Sequence, residues 1–144
     1  MEASDEVRAA IEKFNRCFSA DDAEGVKASI ADDEQAFIVG TQFIGTGREE
    51  WVASLTKYAN DGAKHETGEI RAWAQGDIGW AAGEQTMVLP DGLRLPMRMT
   101  AVLRRDPDGV FRILHQHLSF AVPDAVSDEH AHAWREQLGL APTR

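Results

Sequence analysis

The chain has 144 residues and one cysteine, with 43% hydrophobic and 27% charged residues and a net charge of −9. That length suits a single domain able to bury a core without disulfide or metal. The acidic balance argues against nucleic acid or an anionic membrane as partner, because a phosphate-binding face needs clustered cations. Cys17 has no partner for an internal disulfide, and the start, Met1 to Ala10, lacks a basic segment followed by an apolar one. Both features predict a cytoplasmic protein without a secretory leader. No apolar run approaches the roughly 18 residues needed to span a bilayer.

Helices come first. Val7, Ile11, Phe14 and Phe18 recur at helical spacing and form one apolar stripe between Ser4 and Ser19. Asp21 or Asp22 is placed to cap a short second helix, with Glu24 as a capping-box partner and Val26 and Ile30 facing inward. A short strand follows at Ala36 to Val39. Thr46, Gly47, Arg48 and Glu49 then read as a capping box opening a third helix, which buries Trp51, Leu55 and Tyr58 and stops near Asp61-Gly62.

From about residue 64 the apolar period becomes two, predicting strands near 65–75, 78–89, 93–105 and 110–121. Asp91-Gly92 reads as a two-residue hairpin turn. It would pair Pro90 with Leu93, Gln85 with Arg98, Glu84 with Met99 and Trp80 with Leu103. Pairing Arg105 with Val110 then sets Met99 beside Gln116 and Arg98 beside His117. One face collects Trp80, Ala82, Glu84, Thr86, Val88, Leu95, Met97, Met99, Ala101, Leu103, Arg112, Leu114, Gln116 and Leu118, and the helices should cover it. The other carries Gln85, Met87, Arg98, Val102, Phe111, Ile113, His115 and His117, a mixture that suits a subunit interface. Ser127 is placed to cap a closing helix from Asp128 to Leu138, with Ala131 and Trp134 on its apolar stripe.

The order helix, helix, short strand, helix and four long strands resembles the nuclear transport factor 2-like superfamily, and within it the SnoaL-like domains. The matching words are Phe14, Phe18 to Asp21 and Ile30 to Asp33, then Phe43 to Gly45 and Gly47 to Glu50. The most specific is the ending from Arg98 to Arg105 and Asp108 to Ser119, with its His115-Gln116-His117-Leu118-Ser119 finish. The resemblance implies an α+β, cone-shaped fold: a strongly curved antiparallel sheet wrapped around a cavity and covered by the N-terminal helices. It implies a domain over residues 4–121, with 122–144 as a C-terminal extension, and a homodimer formed through the outer sheet face. Ketosteroid isomerase, an enzyme of the superfamily, needs a carboxylate base and an oxyanion hole of tyrosine and protonated aspartic acid. Phe14, Ile38 and Ala101 stand at those places and move no proton, so that reaction is not expected.

Within the expected cavity Glu84 is the acid–base candidate, since desolvation raises a glutamate pKa. The alternative is a structural ion pair with Arg112, or exposure at the mouth. Phe14, Trp80, Met97, Met99, Leu114, Gln116 and Leu118 complete the expected ligand pocket. His115 and His117 share a strand face and make half a metal site. Nothing near them completes it, so with Arg98 they read as interface or structural groups, and no metal or cofactor is expected. His65, His130 and His132 read as surface residues, and Cys17 as a small buried hydrophobe. Two functions remain open. One is binding of a small, largely apolar organic molecule, with or without acid–base turnover of isomerase, cyclase or dehydratase type. The other is a non-catalytic dimerisation or protein-interaction domain.

Overall fold

The computed structural model describes residues 1–41 and 44–138; for residues 57–60, 124, 128, 130, 131 and 134–136 it describes the backbone only. Its elements in chain order are β1 (Glu2–Ala3), α1 (Asp5–Ser19), α2 (Ala23–Ser29), β2 (Phe37–Val39), β3 (Ile44–Thr46), α3 (Arg48–Asn60), β4 (Lys64–Gln75), β5 (Ile78–Val88), β6 (Arg94–Arg105), β7 (Phe111–Phe120) and α4 (Asp124–Gln137). The strands form one curved sheet in the order β1-β4-β5-β6-β7-β2-β3. It is mixed rather than wholly antiparallel, because β2 runs parallel to β7.

Local chemistry explains the helices. The Ser4 side chain accepts from the Val7 N–H, capping α1, and Asp5 and Glu6 lie in its first turn, where the helix dipole favours negative charge. Val7, Ile11, Phe14 and Phe18 are all buried against the sheet. Asp22, not Asp21, caps α2 by accepting from the Gly25 N–H, while Asp21 turns the chain at φ +56°. α3 begins as expected and buries Trp51 and Leu55, with Thr46 N–H donating to the Glu50 carboxylate at 2.8 Å rather than to Glu49. Tyr58 lies outside the described side chains. α4 starts at Asp124, upstream of Ser127, so that serine sits inside the helix and does not cap it.

The strand register departs from expectation, and the hairpin loops are the cause. Leu89 pairs with Leu93 across three residues: Leu89 N–H donates to Leu93 O and Gly92 N–H to Leu89 O, both at 2.9 Å. Pro90 starts the turn with its fixed φ, and Gly92 at φ +86° closes it as a one-residue bulge. Asp106-Pro107-Asp108-Gly109 repeats the design, with Gly109 at φ +81° and Asp106 N–H donating to Val110 O at 3.0 Å. A loop one residue longer moves every partner by one and reverses a strand's faces. Glu84 therefore pairs with Arg98, Gln85 with Met97 and Trp80 with Val102. On β5 the inward residues are Gly79, Ala81, Gln85 and Met87, and Trp80 and Glu84 are exposed.

Two bulges then change parity again. Leu103 pairs with Ile113 but Val102 with His115, leaving Leu114 as the extra residue. Phe111 and Ile113 thus point inward before the bulge, and Gln116 and Leu118 after it. On β4 the register shifts between Thr67 and Ile70 opposite Glu84. Small residues permit this bulge: a Cβ on Gly68 would lie 2.8 Å from Glu84 O, and one on Gly83 only 2.3 Å from Glu69 O. Because of it both His65 and Ile70 are buried, although an uninterrupted strand would place them on opposite faces.

Candidate ligand-binding site

The sheet has two ends. One holds the β6–β7 loop. The other is framed by the start of β4, the β5–β6 loop and the ends of β2 and β7, and it contains a pocket of about 130 Å³. Phe18, Gly40, Thr41, Leu55, His65, Met87, Leu89, Leu95, Met97, Leu118 and Phe120 line it, with no charged side chain among them. Distant elements supply them: Phe18 comes from the last turn of α1, Leu55 from α3, His65 from β4, Met87 from β5, Leu95 and Met97 from β6, and Leu118 and Phe120 from β7.

His65 is the polar group of this wall. It is 7% exposed, and its ring stacks on Phe18 at 4.2 Å between centroids and 22° between planes. Its backbone is fixed to α1, since His65 N–H donates to Ser19 Oγ at 2.9 Å and Ser19 Oγ donates to His65 O at 3.1 Å. Among the described residues neither ring nitrogen has a hydrogen-bond partner, and both are buried. Burial pushes its pKa down to about 4, so the ring is neutral near pH 7.

Deeper in the interior the buried polar groups are amides. Asn15 Nδ2 donates to Thr67 Oγ1 at 3.0 Å and to Gln85 Oε1 at 3.3 Å. Gln116, flanked in the sheet by Ile38 and Ala101, is fully buried, and among the described residues both of its side-chain polar atoms lack a partner. Trp51 Nε1 and Gln85 Nε2 are likewise unpaired. An unpaired buried polar atom costs about 1–3 kcal/mol, so this interior retains hydrogen-bonding capacity that the fold does not use. Phe14, Trp51, Ile38, Met97 and Met99 fill the space around these groups. No carboxylate is among the buried residues described.

Several expected site residues therefore sit elsewhere. Met97 and Leu118 line the pocket as the sequence reading placed them, whereas Phe14, Met99 and Gln116 are buried beneath it. Trp80 does not enter the interior: it is 39% exposed on the outer face and stacks on Trp73 at 4.6 Å. Glu84 is also on the outer face, in a groove with Glu69, Arg71, Arg98 and Thr100, so its desolvation is not realised. Leu114 is the bulged residue and packs at the edge of the core, not in the pocket. Arg112 binds Asp106, Asp108 and the Ala28 carbonyl at the opposite end and does not pair with Glu84. Arg98, His115 and His117 do share the outer face, where His115 stacks on Phe37 at 4.1 Å and its Nδ1 lies 3.2 Å from Phe37 O.

His65, Met87 and Gln85 were missed for the same reason. All three depend on loop length and a bulge, not on residue type. A usable signal existed in Leu89-Pro90-Asp91-Gly92 and Asp106-Pro107-Asp108-Gly109, two copies of one three-residue loop motif. In both, the aspartate before the glycine accepts from the N–H two residues on, Leu93 at 2.9 Å and Val110 at 3.1 Å.

Among the described residues no cluster of His, Cys, Asp and Glu is placed to hold a metal, and no helix is long and apolar enough to cross a membrane. The SnoaL-like domain family matches residues 7–123. This chain belongs to that family. Solved structures agree on the fold. An uncharacterised protein of Caulobacter vibrioides with a cystatin-like fold superposes with a TM-score of 0.71 at 22% identity, over 90% of this chain and 96% of that one. An NTF2-like protein of Novosphingobium aromaticivorans gives 0.68 at 19%, over 86% and 85%. A member of the NTF2-like family from Streptomyces avermitilis, described as a candidate dehydratase, gives 0.70 at 18%, over 82% and 95%. At these identities the likeness carries the fold and not the reaction. No curated protein matches the chain.

Proposed function

We propose that this SnoaL-like protein binds a small, largely apolar organic molecule at the open end of its sheet, and does so as a cytoplasmic homodimer. The observation that carries the reading is the pocket of about 130 Å³, whose lining is apolar apart from Thr41 and one unpartnered imidazole. Apolar walls with few convergent polar groups are the usual make-up of small-molecule sites, and at about 130 Å³ this pocket is smaller than their usual range of about 300–1,000 Å³. The outer face supports association. Arg98, His117 and the half-exposed Trp80 and Phe37 form a mixed apolar and cationic surface of the kind found at subunit contacts.

A panel of single-ring and short aliphatic molecules, followed by ligand-observed NMR, tests the pocket. Members of about that size should bind the wild type, and Leu95→Trp, which fills the mouth, should abolish binding while leaving the urea unfolding midpoint nearly unchanged. Binding by no member, or undiminished binding by the filled variant, would refute the reading. Light scattering should give about twice the 15.9 kDa chain mass, and Trp80→Arg should return it toward one chain.

The second reading, a non-catalytic dimerisation or protein-interaction domain, draws support from the filled interior beneath the pocket, where Phe14, Ile38 and Trp51 are fully buried. Under that reading the panel finds no ligand while the dimer persists.

A further inference from the structure

We propose that a second copy of the chain docks on the outer sheet face about a two-fold axis running along the strands between β5 and β6, so that each Glu84 meets the partner's Arg98. The assignment rests on the homodimer reading and adds its axis and its charged contacts.

Register sorts the outer face into rows. Trp73, Trp80, Val102, His115 and Phe37 lie side by side across β4, β5, β6, β7 and β2. Arg71, Ala82, Thr100, His117 and Val39 make the next row. The third holds Glu84 on β5, Arg98 on β6 and Ser119 on β7. Glu84 and Arg98 are thus cross-strand neighbours of opposite charge, both exposed in a groove that Ala82, Gly83 and Thr100 also line. Among the described residues neither of them forms an ion pair. Their surroundings behave otherwise. Arg71 holds Glu69, Arg94 holds Glu66, Arg104 holds Asp33 and Asp106, and Arg105 holds Glu6. The sheet therefore presents one cation and one anion, side by side and uncommitted. Such a patch has no net charge to draw a purely acidic or purely basic partner. A second copy offers the same two charges turned by a half-rotation.

Symmetry fixes where the axis must lie. In a two-fold contact residue i meets j and j meets i, and two packed sheets keep their strands within about 30° of each other. An axis along the strands, midway between β5 and β6, exchanges those two strands. Every residue then faces the partner copy of its own cross-strand neighbour: Glu84 faces the partner's Arg98, Ala82 the partner's Thr100 and Trp80 the partner's Val102. Two ion pairs result, small side chains lie between the sheets, and each indole covers a valine. Other axes fail on charge. Shifted toward β7, the axis sets Arg98 against the partner's Ser119 and leaves Glu84 without a cation. Shifted toward β4, it leaves Arg98 facing beyond the partner's β4, away from any Glu84. An axis across the strands, through the row of Ala82 and Thr100, turns Glu84 onto the partner's Trp80 and Arg98 onto the partner's Val102. Each of these encloses an unpaired charge, which is strongly unfavourable.

Two charge reversals, measured singly and then mixed, test the axis. Glu84→Arg sets a cation against the partner's Arg98, and Arg98→Glu sets an anion against the partner's Glu84. Each alone should raise the dimer dissociation constant about a hundredfold or more in analytical ultracentrifugation of the intact chain. The urea midpoint should hardly move, since both side chains are exposed within one chain. Mixed in equal amounts, the two variants should dimerise again as one of each, because only that pairing sets every cation against an anion. Native mass spectrometry separates the mixed dimer from either homodimer by mass. Unweakened dimers in both single variants, or no dimer on mixing, would overturn the axis and leave the homodimer reading intact. A monomeric wild type would overturn both. Should a reversal fold poorly, Glu84→Cys mixed with Arg98→Cys, each in a Cys17→Ala chain, supplies the second measurement. A short bismaleimide should join them one to one, and its failure to do so would equally overturn the axis.

Discussion

The two ends of the sheet are built on the same loop motif and treat polar groups in opposite ways. At the β6–β7 end, Arg104 binds Asp33 at 2.6 Å and Asp106 at 3.1 Å, while Arg112 binds Asp106 at 3.0 Å and Asp108 at 2.6 Å. Arg112 also donates to the Ala28 carbonyl at 3.1 Å, fastening α2 to β7. Every member has a partner, and Asp106, between two guanidinium groups, has only 12% of its side chain exposed. At the β5–β6 end the pocket wall holds Thr41 and His65, and among the described residues the His65 ring has no partner. One end spends its charged residues on closing the fold. The other keeps a buried imidazole unsatisfied inside a mostly apolar wall.

The sharpest way to break this contrast is at the closed end. Asp106→Ala removes a shared anion and leaves two guanidinium groups facing each other, so it should cost about 3–4 kcal/mol of stability. Urea denaturation should show the loss, and any pocket ligand should bind the folded fraction with unaltered affinity. A loss below about 0.5 kcal/mol would mean that the network is a solvated surface cluster.

Between the ends lies the bulge that turns His65 inward. Gly83→Ala puts a methyl group against the Glu69 carbonyl, where a Cβ would stand at 2.3 Å. Backbone has to move, and the expected cost is about 2–3 kcal/mol. The His65 ring resonances should shift with it, whereas those of Gln116, on β7 two strands from Gly83, should change little.

At the open end, pH supplies the test. The His65 pKa is lowered to about 4 in the folded protein, against about 6.5 when unfolded. Between those values the unfolded chain binds more protons, so stability is complete above pH 6.5 and declines as pH falls toward 4. From pH 7.5 to pH 5 the difference is about 2 kcal/mol. Wild type should lose that much more stability over this interval than His65→Phe. Equal losses would show that the ring is solvated.

The smallest effect belongs to Asp108. The Arg112 guanidinium, with the Val110 N–H, holds its carboxyl down at about 2. Its contribution is present above the unfolded value near 3.8 and fades as pH falls through about 2. Because the group is exposed, the change should register in an NMR titration midpoint well below that of an ordinary aspartate and hardly at all in unfolding curves. Arg112→Leu should return the midpoint toward 3.8.

Local chemistry made much of the architecture legible. Ser4 and Asp22 cap helices because their side chains reach N–H groups three residues away, and the α1 stripe is apolar at a spacing that any helix turns into one face. The four long strands followed from period two, which also grouped Met97 with Met99 and His115 with His117 on shared faces. The site was not legible in the same way. Whether Glu84 or Gln85 points inward turns on one residue of loop length, and whether His65 is buried turns on a bulge permitted by Gly68 and Gly83. Side chains alternate along a strand, so a single inserted residue reverses everything beyond it at almost no cost visible locally. The amino-acid sequence by itself determined which segments are helix and strand and which residues are apolar. Only the tertiary structure decided which polar residue the apolar pocket encloses, because burial depends on partners far apart in the chain: His65 owes its setting to Phe18, Met87, Met97 and Leu118.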